Sequence, residues 1–72
     1  MDSEEVIRKI GKKIVAIRKE KGISQIELAT KLNIEDSALR RIEKGRTNPT
    51  IKTLYDISIC LGVELAELVN IK

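Results

Sequence analysis

The sequence predicts an all-α fold. Three observations carry that expectation. Apolar residues recur three and four positions apart, and no stretch alternates as a half-buried strand would. Helix breakers fall at regular intervals, at Gly22, Asn33, Gly45, Pro49 and Gly62. The run Ser24-Gln25-Ile26-Glu27 has the pattern of a capping box, in which a serine hydroxyl and a glutamate carboxylate satisfy each other's backbone amides.

The elements follow in order. Helix 1 is expected from Ser3 as its cap, with Glu4 and Glu5 at the positive end of the helix dipole. Its apolar stripe is Val6, Ile7, Ile10, Ile14 and Ile17, and Gly22 supplies the left-handed stop. Helix 2 starts at the capping box, with Ile23 placed to staple against Leu28, and ends near Leu32 before Asn33. Helix 3 runs from about Glu35 to Lys44 and stops at Gly45. Helix 4 is capped by Thr50 and reaches Leu61, with an inward stripe of Ile51, Leu54, Ile57, Ser58 and Leu61. Helix 5 is brief, from about Glu64 to Val69. There is no repeat, low-complexity segment or linker, so residues 1–72 read as one domain.

A chain of 72 residues supports one modest core and usually needs a staple or a partner subunit. A staple is missing: the single cysteine, Cys60, has no internal partner, and there is no histidine to help it hold a metal. Cys60 reads as a small buried hydrophobe; the other reading, a reactive thiol, needs an electropositive neighbourhood that the adjacent sequence lacks. An unpaired cysteine and an acidic start unlike a signal peptide fit the cytoplasm, and no apolar run approaches membrane-spanning length.

The net charge of +3 is mild, but its distribution is uneven. Residues 8–21 hold seven Lys or Arg against Glu20 alone, and residues 40–52 hold five against Glu43 alone. Folded together, these stretches form one anion-binding face; left apart, they are solvated helix faces. An enzyme is not expected, because histidine, a glycine-rich phosphate loop and a paired-carboxylate constellation are all missing.

Helices 2 and 3 are short and joined by only two or three residues, too few for an antiparallel hairpin, so they should cross steeply. Ala29 is small where their axes approach, and Leu28, Leu32, Ile34, Leu39 and Ile42 bury the inner side. Asp36, Ser37, Arg40, Arg41 and Lys44 then share one outward face of helix 3, a polar surface suited to the major groove. At this point the sequence resembles the phage-repressor helix-turn-helix family (Cro and repressor type, also called XRE-like). The resemblance rests on Ser24 to Leu32, Leu39 to Gly45 and Asn48 to Leu54, and extends from about Ile10 to Leu68.

The resemblance implies a five-helix domain that acts as a symmetric dimer on palindromic double-stranded operator DNA, without cofactor or small-molecule ligand. It places Asp36, Ser37 and Arg41 at base edges, with Arg40 close by. It places Gln25 at the edge of the site, and Arg46, Thr47 and Asn48 in a loop on backbone phosphates. Ser24, Lys44 and Lys52 join the expected phosphate contacts. Arg18 and Glu43 match a pair that bonds across helices 1 and 3 and is structural.

Two residues depart from the family pattern. Glu35 stands where the cap is usually Ser or Thr, and Asp36 where the residue is often uncharged. Asp36 either accepts from a cytosine amino group or neutralises Arg40 one turn on. Arg41 is the leading base contact, with a phosphate contact or a solvated arginine as its alternatives.

Tyr55, the only aromatic residue, and Ile59 point away from the inward stripe of helix 4. With Val69 and Ile71 they are expected to form a homodimer seam. The competing arrangement folds Val69 and Ile71 over Tyr55 within one subunit. Outside transcriptional control of a phage-repressor type, a restriction-modification controller, an antitoxin and a helical protein-docking module all fit the chain.

Overall fold

A computed structural model describes all 72 residues, Met1–Lys72. Five helices make up the structure: α1 (Ser3–Glu20), α2 (Gln25–Leu32), α3 (Asp36–Glu43), α4 (Ile51–Leu61) and α5 (Leu65–Leu68). No strand is present.

The starts of the helices follow from their caps. Ser24 Oγ accepts from the Glu27 amide at 3.0 Å, and Glu27 reaches back to the Ser24 amide, completing the capping box of α2. Thr50 Oγ1 accepts from the Thr53 amide and opens α4. For α1 the expected cap is displaced by one residue. Asp2, not Ser3, accepts from the Glu5 amide at 2.8 Å, and its carboxylate also faces the positive end of the dipole. Glu35 occupies the cap of α3 without a side-chain hydrogen bond.

The first four helices end in the same way. The residue in the left-handed region is Gly22, Asn33, Gly45 or Gly62, and the next residue donates its amide five positions back. These are Ile23 to Arg18, Ile34 to Ala29, Arg46 to Arg41 and Val63 to Ser58. This is the Schellman motif, whose last residue ordinarily makes an apolar contact with the helix it closes. Ile23, Ile34 and Val63 do pack against the core. After α3 that position is held by exposed Arg46.

Every helix contributes to one core. Ile14 and Ile17 of α1, Leu28 and Ala29 of α2, Leu39 and Ile42 of α3, Leu54, Ile57 and Leu61 of α4, and Leu68 of α5 are buried together. Ile51 is not among them. Assigned to the inward stripe by its spacing, it is 68% exposed, because the first turn of α4 projects beyond the core edge. Cys60 is half-buried rather than buried and packs beside the core.

Two glycines fix how α1 meets the end of α3. A Cβ on Gly11 would lie 2.5 Å from the carbonyl oxygen of Glu43 and 2.7 Å from that of Ile42. A Cβ on Gly45 would lie 2.7 Å from the α-carbon of Arg8. The backbone of α1 is therefore in direct contact with the last turn of α3.

Candidate nucleic-acid interface

The recognition-type helix is held by a buried polar network at its C-terminal end. Arg18 grips the Glu43 carboxylate with two bonds, Nε to Oε2 at 2.8 Å and Nη2 to Oε1 at 3.1 Å. Arg18 Nη1 donates to the Ile23 carbonyl at 3.0 Å, which fixes the turn entering α2. Gln25 Nε2 donates to Glu43 Oε1 at 2.8 Å. Arg18 and Glu43 are both buried, and no buried side-chain polar atom is left without a partner. A buried pair that is fully bonded orients its elements, and its energetic cost falls on whoever removes one partner. Here α1, the start of α2 and the end of α3 are joined through one carboxylate.

That leaves the outer side of α3 free. Ser37, Arg40, Arg41 and Lys44 are exposed, and Asp36 is half-exposed beside them. Arg40 Nη2 lies 3.5 Å from Asp36 Oδ2, a long contact between two half-exposed groups worth only tenths of a kcal/mol. Of the two readings of Asp36, the chain without DNA therefore contains the Arg40 contact. Arg41, Lys44 and Arg46 make no ion pair with any acid of the protein. Arg46, Thr47 and Asn48 continue the same exposed surface past Gly45.

Three expected contact residues are occupied within the protein. The Gln25 amide nitrogen is directed at Glu43, so an outside anion can use only its second N–H. Ser24 Oγ accepts the cap bond of α2 and has only its own proton to donate. Lys52 Nζ lies 2.9 Å from Asp56 Oδ2, which offsets its charge. The cap and the Lys52–Asp56 pair act over three and four residues and are legible in spacing. Gln25 as a third member of the Arg18–Glu43 network escaped sequence reasoning, because its partner lies 18 residues away.

Tyr55 and Ile59 are exposed, at 52% and 59%, and line a shallow depression with Lys31, Leu32, Asp56 and Cys60. Val69 is also exposed. Ile71 lies elsewhere, in a cleft with Lys9, Lys12 and Lys13 of α1. The tail is held there by a bond from Lys9 Nζ to the Lys72 carbonyl at 2.6 Å. Tyr55 is thus not covered within its own subunit.

No group of acids and cysteine is arranged to hold a metal ion, and no helix is long and apolar enough to cross a membrane. A short helix pair with a three-residue turn, a second helix seated by a buried network and an outward basic face make up a helix-turn-helix domain of the DNA-binding type. The chain belongs to the Helix-turn-helix family HTH_3, whose model matches residues 14–68. It is 40% identical over 61 residues to the immunity repressor protein of Bacillus phage phi105, covering 85% of this chain and 42% of that protein. It is 44% identical over 64 residues to the transcriptional regulator SinR of Bacillus licheniformis, covering 88% of this chain and 58% of SinR. Both relatives are thus considerably longer than the matched region. A solved structure of SinR, the master regulator for biofilm formation, in complex with DNA superposes with a TM-score of 0.78 at 42% identity. That match covers 85% of this chain and 98% of the SinR chain.

Proposed function

We propose that this chain, whose residues 1–72 form one helix-turn-helix domain, is a sequence-specific regulator of transcription that acts as a homodimer on a palindromic DNA operator in the cytoplasm. The observation that carries the reading is the state of α3. Its inner side is locked by Arg18, Gln25 and Glu43, while Arg41 and Lys44 stand outward with no internal partner. A helix fixed in this way and left basic on one face suits the major groove. The DNA complex of SinR, similar over nearly all of its chain, supports the same mode.

In this reading Ser37, Arg41, Arg40 and Asp36 face base edges, and Asp36 gives up Arg40 to do so. Arg46, Thr47, Asn48 and Lys44 set position on the phosphates, with Ser24, Gln25 and Lys52 contributing through the donors they have left. No cofactor or small-molecule ligand is required. Arg41→Ala is expected to lose about 1–3 kcal/mol of discrimination at one base pair per half-site. Titration of duplexes mutated singly at each position checks this; equal weakening on every sequence would place Arg41 on phosphate instead.

One recognition helix reads only a few base pairs, and two heads one helical turn apart supply the rest of the affinity. The exposed Tyr55 and Ile59, with Val69, are the proposed seam, and Ile71 joins it only if the tail leaves its cleft beside α1. Tyr55→Asp combined with Ile59→Lys is expected to yield monomers in analytical ultracentrifugation and weaker operator binding. An unchanged dimer would remove helix 4 from the interface.

A further inference from the structure

Within the first basic stretch, residues 8–21, Arg18 and Lys9 are engaged inside the protein, and Arg8 stands apart. Its α-carbon would be 2.7 Å, and its γ-carbon 2.6 Å, from a Cβ on Gly45, so the stem of Arg8 lies across the residue that ends α3. Gly45 is followed directly by Arg46. Adding standard bond and Cα–Cα lengths, the α-carbons of Arg8 and Arg46 are no more than about 8 Å apart. Arg8 is exposed and takes part in none of the four ion pairs. The nearest acids on its own helix do not occupy it. Glu5 pairs with Lys9 at 3.7 Å, and Glu4, one turn back, makes no ion pair. Glu43, the acid of the packed helix end, is taken by Arg18 and Gln25. Two exposed arginines without ion-pair partners are therefore rooted within about 8 Å of one another by a backbone contact at a left-handed glycine. One is the Schellman residue that would ordinarily be apolar, the other lies on a different helix.

We infer that Arg8 is a DNA-phosphate contact supplied by α1, forming with Arg46 a two-arginine clamp on the backbone beyond the C-terminal end of α3. The inference rests on the DNA-binding reading above and extends it to an element outside the helix-turn-helix. Guanidinium groups engage phosphate oxygens bidentately, and neighbouring ones suit a continuous phosphate track. The competing role for Arg8 is local: its charge faces the negative end of the α3 dipole and its stem covers Gly45.

The test measures the salt dependence of binding to a random-sequence 20-bp duplex for wild type, Arg8→Met, Arg8→Lys and Arg46→Met. Methionine keeps an apolar stem over Gly45 and removes the charge. Matched helical circular dichroism shows that each variant is folded. The expected result is a slope of log affinity against log salt that is shallower by about 0.9 per bound protomer, hence about 1.8 for a dimer, in Arg8→Met, by as much in Arg46→Met, and restored in Arg8→Lys. A wild-type slope in folded Arg8→Met, with a shallower one in Arg46→Met, would overturn the clamp while leaving the DNA reading intact. An Arg8→Met variant that melts earlier yet binds with the wild-type slope would assign Arg8 to the helix dipole. Salt-independent or absent binding by the wild type would overturn both readings.

Discussion

Arg18→Met is expected to cost about 3–5 kcal/mol of folding stability, measured by urea denaturation. The change leaves the Glu43 carboxylate buried with a single remaining donor, the amide of Gln25 at 2.8 Å. Glu43→Leu should cost a similar amount, because it strands a guanidinium that is 8% exposed as a residue and held by one carbonyl. The double variant is the informative one. Removing both charges and filling their volume with apolar side chains takes away the attraction and the desolvation cost together, so it should recover most of the loss. Two single variants that each cost less than about 1 kcal/mol would mean that water screens the pair as it does at a surface. The double variant should nonetheless bind DNA less well than its stability suggests, since the orientation of α3 would then rest on apolar packing alone.

Gly11→Ala is the second large effect, and its sign is opposite to the usual one. In an open helix, alanine in place of glycine stabilises by about 1 kcal/mol. At Gly11 the new methyl would stand 2.5 Å and 2.7 Å from two backbone carbonyl oxygens of α3, which have no rotamer by which to retreat. Overpacking against movable side chains costs about 1–3 kcal/mol, and here two helices must separate instead. A net loss above about 2 kcal/mol is expected, seen as a fall of roughly 10 °C or more in the thermal midpoint for a domain of this size. Gly22→Ala is the control. Its site has nothing within 4 Å, so only the left-handed backbone is penalised, by about 1–2 kcal/mol. A Gly11→Ala protein as stable as wild type would mean that α1 and α3 do not approach this closely.

Much of the fold is readable from local chemistry. Caps and stops act within four or five residues, which is why Ser24, Thr50, Gly22, Asn33, Gly45 and Gly62 mark their helices correctly. At helix 1 the sequence reading names Ser3 as the cap, and the carboxylate of Asp2, one residue earlier, takes that place instead. Ile51 shows the limit of periodicity: it shares the spacing of the inward stripe, but spacing says nothing about where a helix leaves the core. The contact of Gly11 with Ile42 and Glu43 joins residues more than thirty positions apart, and a mid-helix glycine announces no partner. The outward face of α3 is legible because three- and four-residue spacing defines it. The anchoring of that face is legible only in part: the family resemblance supplies the Arg18–Glu43 pair, but not Gln25, which joins it from a third helix. The same holds for Arg8, whose neighbour Arg46 is set by a glycine contact across the chain.

The central claim is that the fixed basic face of α3 reads DNA sequence. Selection from a pool of random duplexes tests it most directly, run in parallel with wild type and Arg41→Ala. Wild type should enrich a palindrome whose half-sites are centred about one helical turn, or 10 bp, apart. Arg41→Ala should enrich the same spacing with one base pair relaxed in each half-site. Recovery of no preferred sequence by the wild type, with binding that depends only on salt, would contradict the claim.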